Sequence, residues 1–187
     1  MRRLVRAVRH LPDRLLHGRR RARASQRLAT LGDAPRILVL CLGNICRSPF
    51  AEARLRDAGV AMVRSRGFIG PGRPSPPEAL AAARDLGAEL ESHVSATVSA
   101  ADVEWADVVI VMNGRQARRA TALARDRRPA IVRLGDLDPE PIERRAIADP
   151  FGRGDAAFAA CFARMVRCLK PLEERFGRRG RSAAGSR

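Results

Sequence analysis

The 187-residue sequence is poor in several residue types, and each shortage limits what the protein can be. It has no tyrosine, one tryptophan and six phenylalanines, so few rings are available to stack on nucleic-acid bases. Four cysteines in a chain of this length do not form a disulfide scaffold, and free thiols favour a cytoplasmic protein. No apolar run reaches the roughly 18 residues that a membrane-spanning helix needs.

The abundant charged residue is arginine, since Lys170 is the only lysine and the formal net charge is +16. Such a charge is typical of proteins that bind nucleic acids or anionic membranes. The accompanying alanine and glycine indicate instead the codon bias of a GC-rich genome, and no nucleic-acid-binding module is recognisable. We therefore expect no nucleic-acid partner.

Residues 1–34 differ from the rest because they are rich in arginine and contain only Asp13 and Asp33 as acids. Their apolar residues recur at the spacing of one helix face, at Leu4, Val8, Leu11 and Leu15. Pro12 interrupts this pattern. The segment is compatible with a basic helix in weak peripheral contact with an anionic membrane, with a mitochondrial transit peptide, or with a loosely ordered extension. We expect the loosely ordered extension.

The rest of the chain alternates between two kinds of pattern. Short apolar runs predict buried strands at 36–41, 61–65, 107–112 and 130–134. Helical patterns lie between and after them, at 48–58, 77–86, 114–125 and 155–175. Alternating strands and helices predict an α/β fold: a single three-layer domain over 35–178, with a four-stranded parallel sheet flanked by helices. Residues 179–187 are predicted to form a disordered tail.

The segment from Cys41 to Ser48 links the first predicted strand to the first long helix, where parallel sheets bind ligands. Gly43 and Asn44 tolerate left-handed backbone angles, which turn successive N–H groups toward one point and form an anion nest. The following helix adds its positive end, and Arg47 offers a fork that matches two phosphate oxygens. A cysteine at the base of such a field favours the nucleophilic thiolate, so Cys41 is the candidate nucleophile.

A cysteine six residues before an arginine is a weak signal by itself, because arginine is so common here. Cys161 and Arg167 have the same spacing, but they lie in a helical pattern without glycine and cannot wrap around a ligand. We interpret Cys161 and Cys168 as buried positions on one face of the last helix.

The run from Val39 to Pro49 resembles the signature of the low-molecular-weight protein tyrosine phosphatases, and the resemblance extends over about residues 35–178. It implies that Cys41 is the nucleophile and that Arg47 binds the phosphoryl oxygens. It also implies a substrate-binding loop made of Leu42, Gly43, Asn44, Ile45, Cys46 and Ser48. In this family the asparagine holds the loop in its strained conformation and the serine donates a hydrogen bond to the thiolate.

Further residues receive roles from the same resemblance. Ser65 and His93 match the supporting hydrogen-bond network of the asparagine. Asp149, in Asp-Pro-Phe, matches the general acid of an Asp-Pro-Tyr motif, with Phe151 in place of the tyrosine as an aromatic wall for the substrate ring. The opposite wall, in 68–73, has a proline where many members have an aromatic residue. Asn113 stands where an aspartate is frequent.

The implied reaction is hydrolysis of phosphotyrosine through a phosphocysteine, without a metal or other cofactor. The expected partner is a phosphotyrosine-containing protein, by analogy a tyrosine kinase of polysaccharide export. Two alternatives are a thioredoxin-coupled arsenate reductase and a non-catalytic phosphate-binding protein. The reductase would need further cysteines in the middle of the chain, and none lies between Cys46 and Cys161. Cys46 is either a small buried residue or the partner of Cys41 in a protective disulfide.

Overall fold

The computed structural model describes residues 11–177, which form one α/β unit around a parallel sheet. The strands are β1 (Ile37–Cys41), β2 (Val63–Gly67), β3 (Val108–Val111) and β4 (Ala130–Arg133). They pair in the order β2-β1-β3-β4, and all pairs are parallel. Every residue of β1 and β3 is buried, as expected for central strands with helices on both faces. The predicted four-stranded parallel sheet flanked by helices is confirmed.

Seven α-helices surround the sheet in the described part of the chain. They are α1 (Leu11–Leu15), α2 (His17–Ala29), α3 (Arg47–Asp57), α4 (Pro77–Arg84), α5 (Ala100–Trp105), α6 (Gly114–Leu123) and α7 (Asp155–Leu172). A 3₁₀ turn over Leu134–Leu137 follows β4, and a π turn over Glu173–Gly177 follows α7.

The element boundaries differ from the predicted ones by up to three residues, and one further helix is present in the α/β part of the chain. Strand β2 lies two residues later than predicted, at Val63–Gly67. Helix α5 was not predicted, because its six residues bury only Val103 fully and give no clear period. Its start was nevertheless encoded, since Ser99 and Asp102 form a reciprocal capping box.

Two apolar layers hold the helices against the sheet, one on each face. On one face α3 is fixed to α7 by aromatic packing. The rings of Phe50 and Phe162 stack with centroids 4.1 Å apart, and Phe158 meets Phe162 edge to face. Because Phe50 lies three residues after Arg47, this packing also fixes the start of α3, directly after the loop that joins it to β1.

The N-terminal segment differs from the predicted loosely ordered extension, because residues 11–29 form two helices. His17, Ala24 and Leu28 share one side of α2 and are buried in the domain. His17 donates from Nε2 to the carbonyl of Asp138 at 2.9 Å, and Arg27 donates to the carbonyl of Ile131 at 2.9 Å. This buried side was not recognised in the sequence because arginines surround its residues.

Some predictions concern residues outside the described part. Residues 1–10 of the extension and the predicted tail over 179–187 lie there. Between residues 11 and 177, no helix is long and apolar enough to cross a membrane. Peripheral membrane contact stays a prediction, although the buried side of α2 is no longer available for it.

The packing of α2 predicts that two leucines of the N-terminal segment contribute differently to the free energy of unfolding. Leu28 is 2% exposed and Leu15 is 72% exposed. We expect Leu28→Ala to lower the free energy of unfolding by about 2–4 kcal/mol because it leaves a cavity. Leu15→Ala should change it by less than about 0.5 kcal/mol. Denaturant titration of both variants checks this, and equal small effects would contradict the packing of α2.

Candidate active site

The active-site loop runs from the last residue of β1, Cys41, to the first residue of α3, Arg47. Asn44 has a φ of 51°, the left-handed conformation that the sequence predicted for this loop. That conformation directs the backbone N–H of Asn44 at Cys41 Sγ, 3.2 Å away. Ser48 donates to the same sulfur from its hydroxyl at 3.1 Å. The sulfur of Cys41 is therefore the acceptor of two hydrogen bonds, which stabilise negative charge on it.

Asn44 is the residue through which the loop is attached to its surroundings. Its side-chain amide donates to Ser48 Oγ at 3.0 Å and to Ser65 Oγ at 2.8 Å. Its side-chain oxygen accepts the backbone N–H of Ala96 at 2.9 Å. Its backbone carbonyl accepts from Nε2 of His93 at 2.6 Å. The structure thus places Ser65 and His93 against Asn44, where the resemblance expected them.

The end of β2 allows the loop to lie this close to the sheet. A Cβ atom on Gly67 would come within 2.9 Å of both the Cβ and the backbone nitrogen of Asn44. Only glycine fits that approach without moving the loop.

Arg47 and Asp149 form an ion pair at the mouth of this loop. The Arg47 side chain is 4% exposed and also donates to the carbonyl of Ile147 at 3.3 Å. Its Nε has no hydrogen-bond partner among the described residues, so the guanidinium keeps a donor for an anion. The Asp149 side chain is 41% exposed and can reach a bound molecule.

The segment that carries Asp149 is fixed from behind by one arginine of α7. Arg164 donates to the carbonyls of Arg144 at 2.8 Å and Ala146 at 3.1 Å. It also donates from Nε to the buried carboxylate of Asp138 at 2.9 Å. These bonds hold the irregular segment before Asp149 in place although it has no regular secondary structure.

The loop forms the base of a cavity of about 140 Å³. Cys41, Gly43, Ile45, Cys46 and Arg47 line the base, and Asp149 reaches it from the side. Asn44 and Ser48, which the resemblance placed in the substrate-binding loop, are fully buried behind it and do not line the cavity. Their side chains can therefore act only through the loop and the sulfur.

The rim of the cavity is apolar. Leu42, Ile69 and Phe151 all line it and are each more than a third exposed. Phe151 is where the sequence predicted an aromatic wall. The opposite wall is Ile69, whereas Pro71 does not contribute. A flat ring could lie between these side chains with a phosphate group at the base.

Arg73 is a residue of this cavity to which sequence reasoning gave no role. It lines the cavity and donates from its guanidinium to the carbonyls of Gly43 at 3.2 Å and Gly70 at 2.9 Å. These bonds tie the segment after β2 to the active-site loop and place a second cation at its rim. Arginine is so common in this sequence that Arg73 did not stand out as a candidate site residue.

The other cysteines have a different environment. Burial raises the pKa of Cys46, Cys161 and Cys168 to about 12 in each case. These thiols are therefore protonated at neutral pH and unsuited to attack. Cys161 and Cys168 lie buried on α7 as predicted, and Arg167 forms ion pairs with acids instead of facing a loop. The disulfide between Cys41 and Cys46 stays a prediction.

A parallel α/β sheet with a cysteine and an arginine in an anion-binding loop after β1 is typical of cysteine-dependent phosphatases. Comparison with known proteins narrows this class. The sequence model of the low molecular weight phosphotyrosine protein phosphatase family matches residues 36–182. Within the described range, no cluster of three potential metal-ligating side chains is present.

Individual relatives agree with that match. The EpsP low-molecular-weight protein-tyrosine-phosphatase of Ralstonia solanacearum is 32% identical over 133 residues, which cover 70% of this chain and 88% of that protein. Wzb of Salmonella typhi is 31% identical over 139 residues, covering 72% and 89%. The crystal structure of Wzb from Escherichia coli K30 with sulphate has a TM-score of 0.69 at 26% identity, covering 76% of this chain and 99% of that one.

The chain belongs to the low-molecular-weight protein tyrosine phosphatase family. It is a hydrolase, a cysteine-dependent phosphotyrosine phosphatase. The alternatives of an arsenate reductase and of a non-catalytic phosphate-binding protein are not favoured. The buried thiols of Cys161 and Cys168 also offer no ready path for a disulfide relay.

Two substitutions separate the backbone role of Asn44 from its side-chain role. Asn44→Ala and Asn44→Gly both remove the bonds to Ser48, Ser65 and Ala96, and both should lower kcat/KM for an aryl phosphate by roughly 10²-fold as the loop shifts. Asn44→Ala should be less stable than Asn44→Gly by about 1 kcal/mol, because alanine resists the left-handed conformation. Denaturant titration and steady-state kinetics measure both effects. Equal stability of the two variants would contradict a strained loop.

Proposed function

We propose that Cys41 is the nucleophile of this phosphatase, that Arg47 holds the phosphoryl oxygens, and that Asp149 is the general acid. One observation supports this proposal above the others. The sulfur that accepts hydrogen bonds from Asn44 and Ser48 lies in the same small cavity as Arg47 and Asp149. A nucleophile, an anion-binding cation and a proton donor therefore share one site.

The first step transfers the phosphoryl group to the enzyme. The phosphate of the substrate binds to the loop N–H groups and to Arg47, which exchanges its contact with Asp149 for the phosphoryl oxygens. The S–P bond forms as the bond between phosphorus and the phenolic oxygen breaks. Asp149 in its protonated form gives its proton to that oxygen, so tyrosine leaves as the neutral phenol.

The second step regenerates the enzyme. Asp149, now a carboxylate, takes a proton from a water molecule that attacks phosphorus. The S–P bond breaks, inorganic phosphate forms, and Cys41 leaves as a thiolate. The hydrogen bonds from Ser48 and the Asn44 N–H stabilise that leaving group in this step as they stabilise the attacking one in the first.

The cavity rim supports an aromatic substrate. The apolar side chains of Leu42, Ile69 and Phe151 line the opening of the cavity of about 140 Å³, where an aromatic ring can contact them. Cys41 and these rim side chains line the same cavity, so a phosphotyrosine would place its phosphate at the base and its ring at the rim.

The physiological substrate is proposed at two levels. The family supports a phosphotyrosine-containing protein as substrate. A more specific candidate is a tyrosine kinase of polysaccharide export, by analogy within the family, with the reaction in the cytoplasm. Phosphotyrosine levels on such a kinase, compared in cells with and without this chain, would test that candidate.

Two cysteine variants test the nucleophile. Cys41→Ser should abolish hydrolysis of an aryl phosphate and leave phosphate binding measurable by calorimetry, because the loop N–H groups and Arg47 remain. Cys161→Ser is the matched control on α7 and should keep nearly full activity. An active Cys41 variant beside an inactive Cys161 variant would show that the assignment is wrong.

Leaving-group dependence tests the acid. Asp149→Ala should lower kcat by roughly 10²–10⁴-fold for phenyl phosphate, whose phenol needs a proton. The loss should be much smaller for an aryl phosphate with an acidic phenol, which departs without one. Steady-state kinetics with a series of substituted aryl phosphates measures the difference, and an equal loss across the series would remove Asp149 from this role.

A further inference from the structure

A second and larger depression lies beside the catalytic cavity. Its volume is about 510 Å³, and Leu42, Arg47 and Asp149 line both the cavity and this depression, which we call the basic groove. The two are therefore continuous. Five further arginines line the basic groove: Arg115, Arg118, Arg119, Arg144 and Arg153.

The arginines come from two facing walls. Arg115, Arg118 and Arg119 are on the first turns of α6, at the spacing that places side chains on one helix face. Arg144 and Arg153 are on the segment around Asp149. A chain that enters the basic groove would meet positive charge on both sides.

Within the described part of the chain, no acidic side chain forms an ion pair with these five arginines. Their neighbours behave differently, since Arg145 pairs with Asp136 and Arg164 pairs with Asp138. The only acid that lines the basic groove is Asp149, which is already paired with Arg47.

The arrangement is unfavourable for α6 by itself. A helix N-terminus carries partial positive charge and prefers acids, but the first turn of α6 contains no acid and includes Arg115. Arginines three and four residues apart also repel each other. The helix is capped by Asn113, whose neutral side chain accepts the N–H of Gln116 at 3.0 Å. An aspartate could cap equally well and would reduce the positive charge, so the neutral cap keeps the basic groove cationic.

We propose that the basic groove binds an acidic polypeptide segment that flanks the phosphotyrosine of the substrate. The proposal rests on the proposed function, because the flanking segment is defined by the phosphotyrosine that occupies the catalytic cavity. Continuity with that cavity favours a polypeptide over a nucleic acid. The basic groove is also lined by no aromatic residue on which bases could stack.

The expected consequence is selectivity for acidic sequences around the phosphotyrosine. Like-signed charge that lines a cleft attracts oppositely charged ligands and raises their rate of association. Two phosphotyrosine peptides of equal length, one flanked by Asp and Glu and one by Ser and Gln, make this measurable. The native chain should hydrolyse the acidic peptide with a kcat/KM about tenfold higher at low salt, and high salt should reduce the ratio.

Two double variants locate the effect. Arg115→Ala/Arg118→Ala removes two charges from the basic groove, and Arg125→Ala/Arg128→Ala removes two exposed charges from the loop before β4. Net charge is then equal in both. We expect the first variant to lose most of the preference for the acidic peptide, whereas the second keeps it. Equal loss in both variants would attribute the preference to net charge and overturn the proposal.

A single substitution changes the charge of the basic groove and keeps the N-terminal cap of α6. Asn113→Asp should keep α6 capped, with stability unchanged or higher by denaturant titration, while it adds a negative charge to the basic groove. The preference for the acidic peptide should fall, and hydrolysis of a small aryl phosphate should stay within about twofold of the native value. An unchanged preference in this variant would overturn the proposal.

The aryl phosphate separates this inference from the proposed function. Loss of aryl phosphate hydrolysis in Cys41→Ser concerns the catalytic residues, whereas the preference between peptides concerns the basic groove alone. Absence of any preference in the native chain would overturn the inference and leave catalysis untouched. Inhibition by a single-stranded oligonucleotide that is lost in Arg115→Ala/Arg118→Ala, without a preference between peptides, would identify a nucleic-acid surface instead.

Discussion

The active site depends on the left-handed backbone of one residue, Asn44, and on the four groups that hold it there. A strained conformation in a loop persists only when several surrounding contacts hold it in place. Here the surroundings are Ser48 in the following helix, Ser65 in β2, and His93 and Ala96 in the segment after α4. Because Ser65, His93 and Ala96 are distant from Asn44 in the sequence, the loop can take this shape only once the sheet and its crossovers are assembled. The hydrogen bonds on the sulfur of Cys41 are a product of the whole fold.

The sheet supplies the second requirement, a rigid platform. Strands β1 and β3 are completely buried, and the stacked rings of Phe50 and Phe162 hold the helix that begins at Arg47. Strand β2 ends at Gly67, which gives Asn44 the room that any side chain would take. Cys41 and Arg47 thus lie at the ends of buried elements of the fold, whereas Asp149 comes from an irregular segment.

Much of this could be predicted from the sequence because the signals were local. Apolar runs indicated the four strands, and the cysteine, glycine, asparagine and arginine of one short loop indicated an anion site. What could not be predicted depended on contacts between distant residues. Arg73 and the burial of His17 were hidden by the abundance of arginine, and helix α5 was too short to show a period. That the side chains of Asn44 and Ser48 lie behind the loop was not readable from the residue order, because a loop sequence does not say which side chains turn inward.

The contacts behind Asp149 have a consequence for the N-terminal helices. Asp138 accepts from Arg164 with its side chain and from His17 with its backbone, and Arg164 in turn holds the segment that leads to Asp149. Helix α2 and the segment of the acid therefore share one support. Loss of the contact with α2 would remove one of the bonds made by Asp138, the residue to which Arg164 is bound. The packing of α2 and the position of the segment before Asp149 therefore depend on one buried residue.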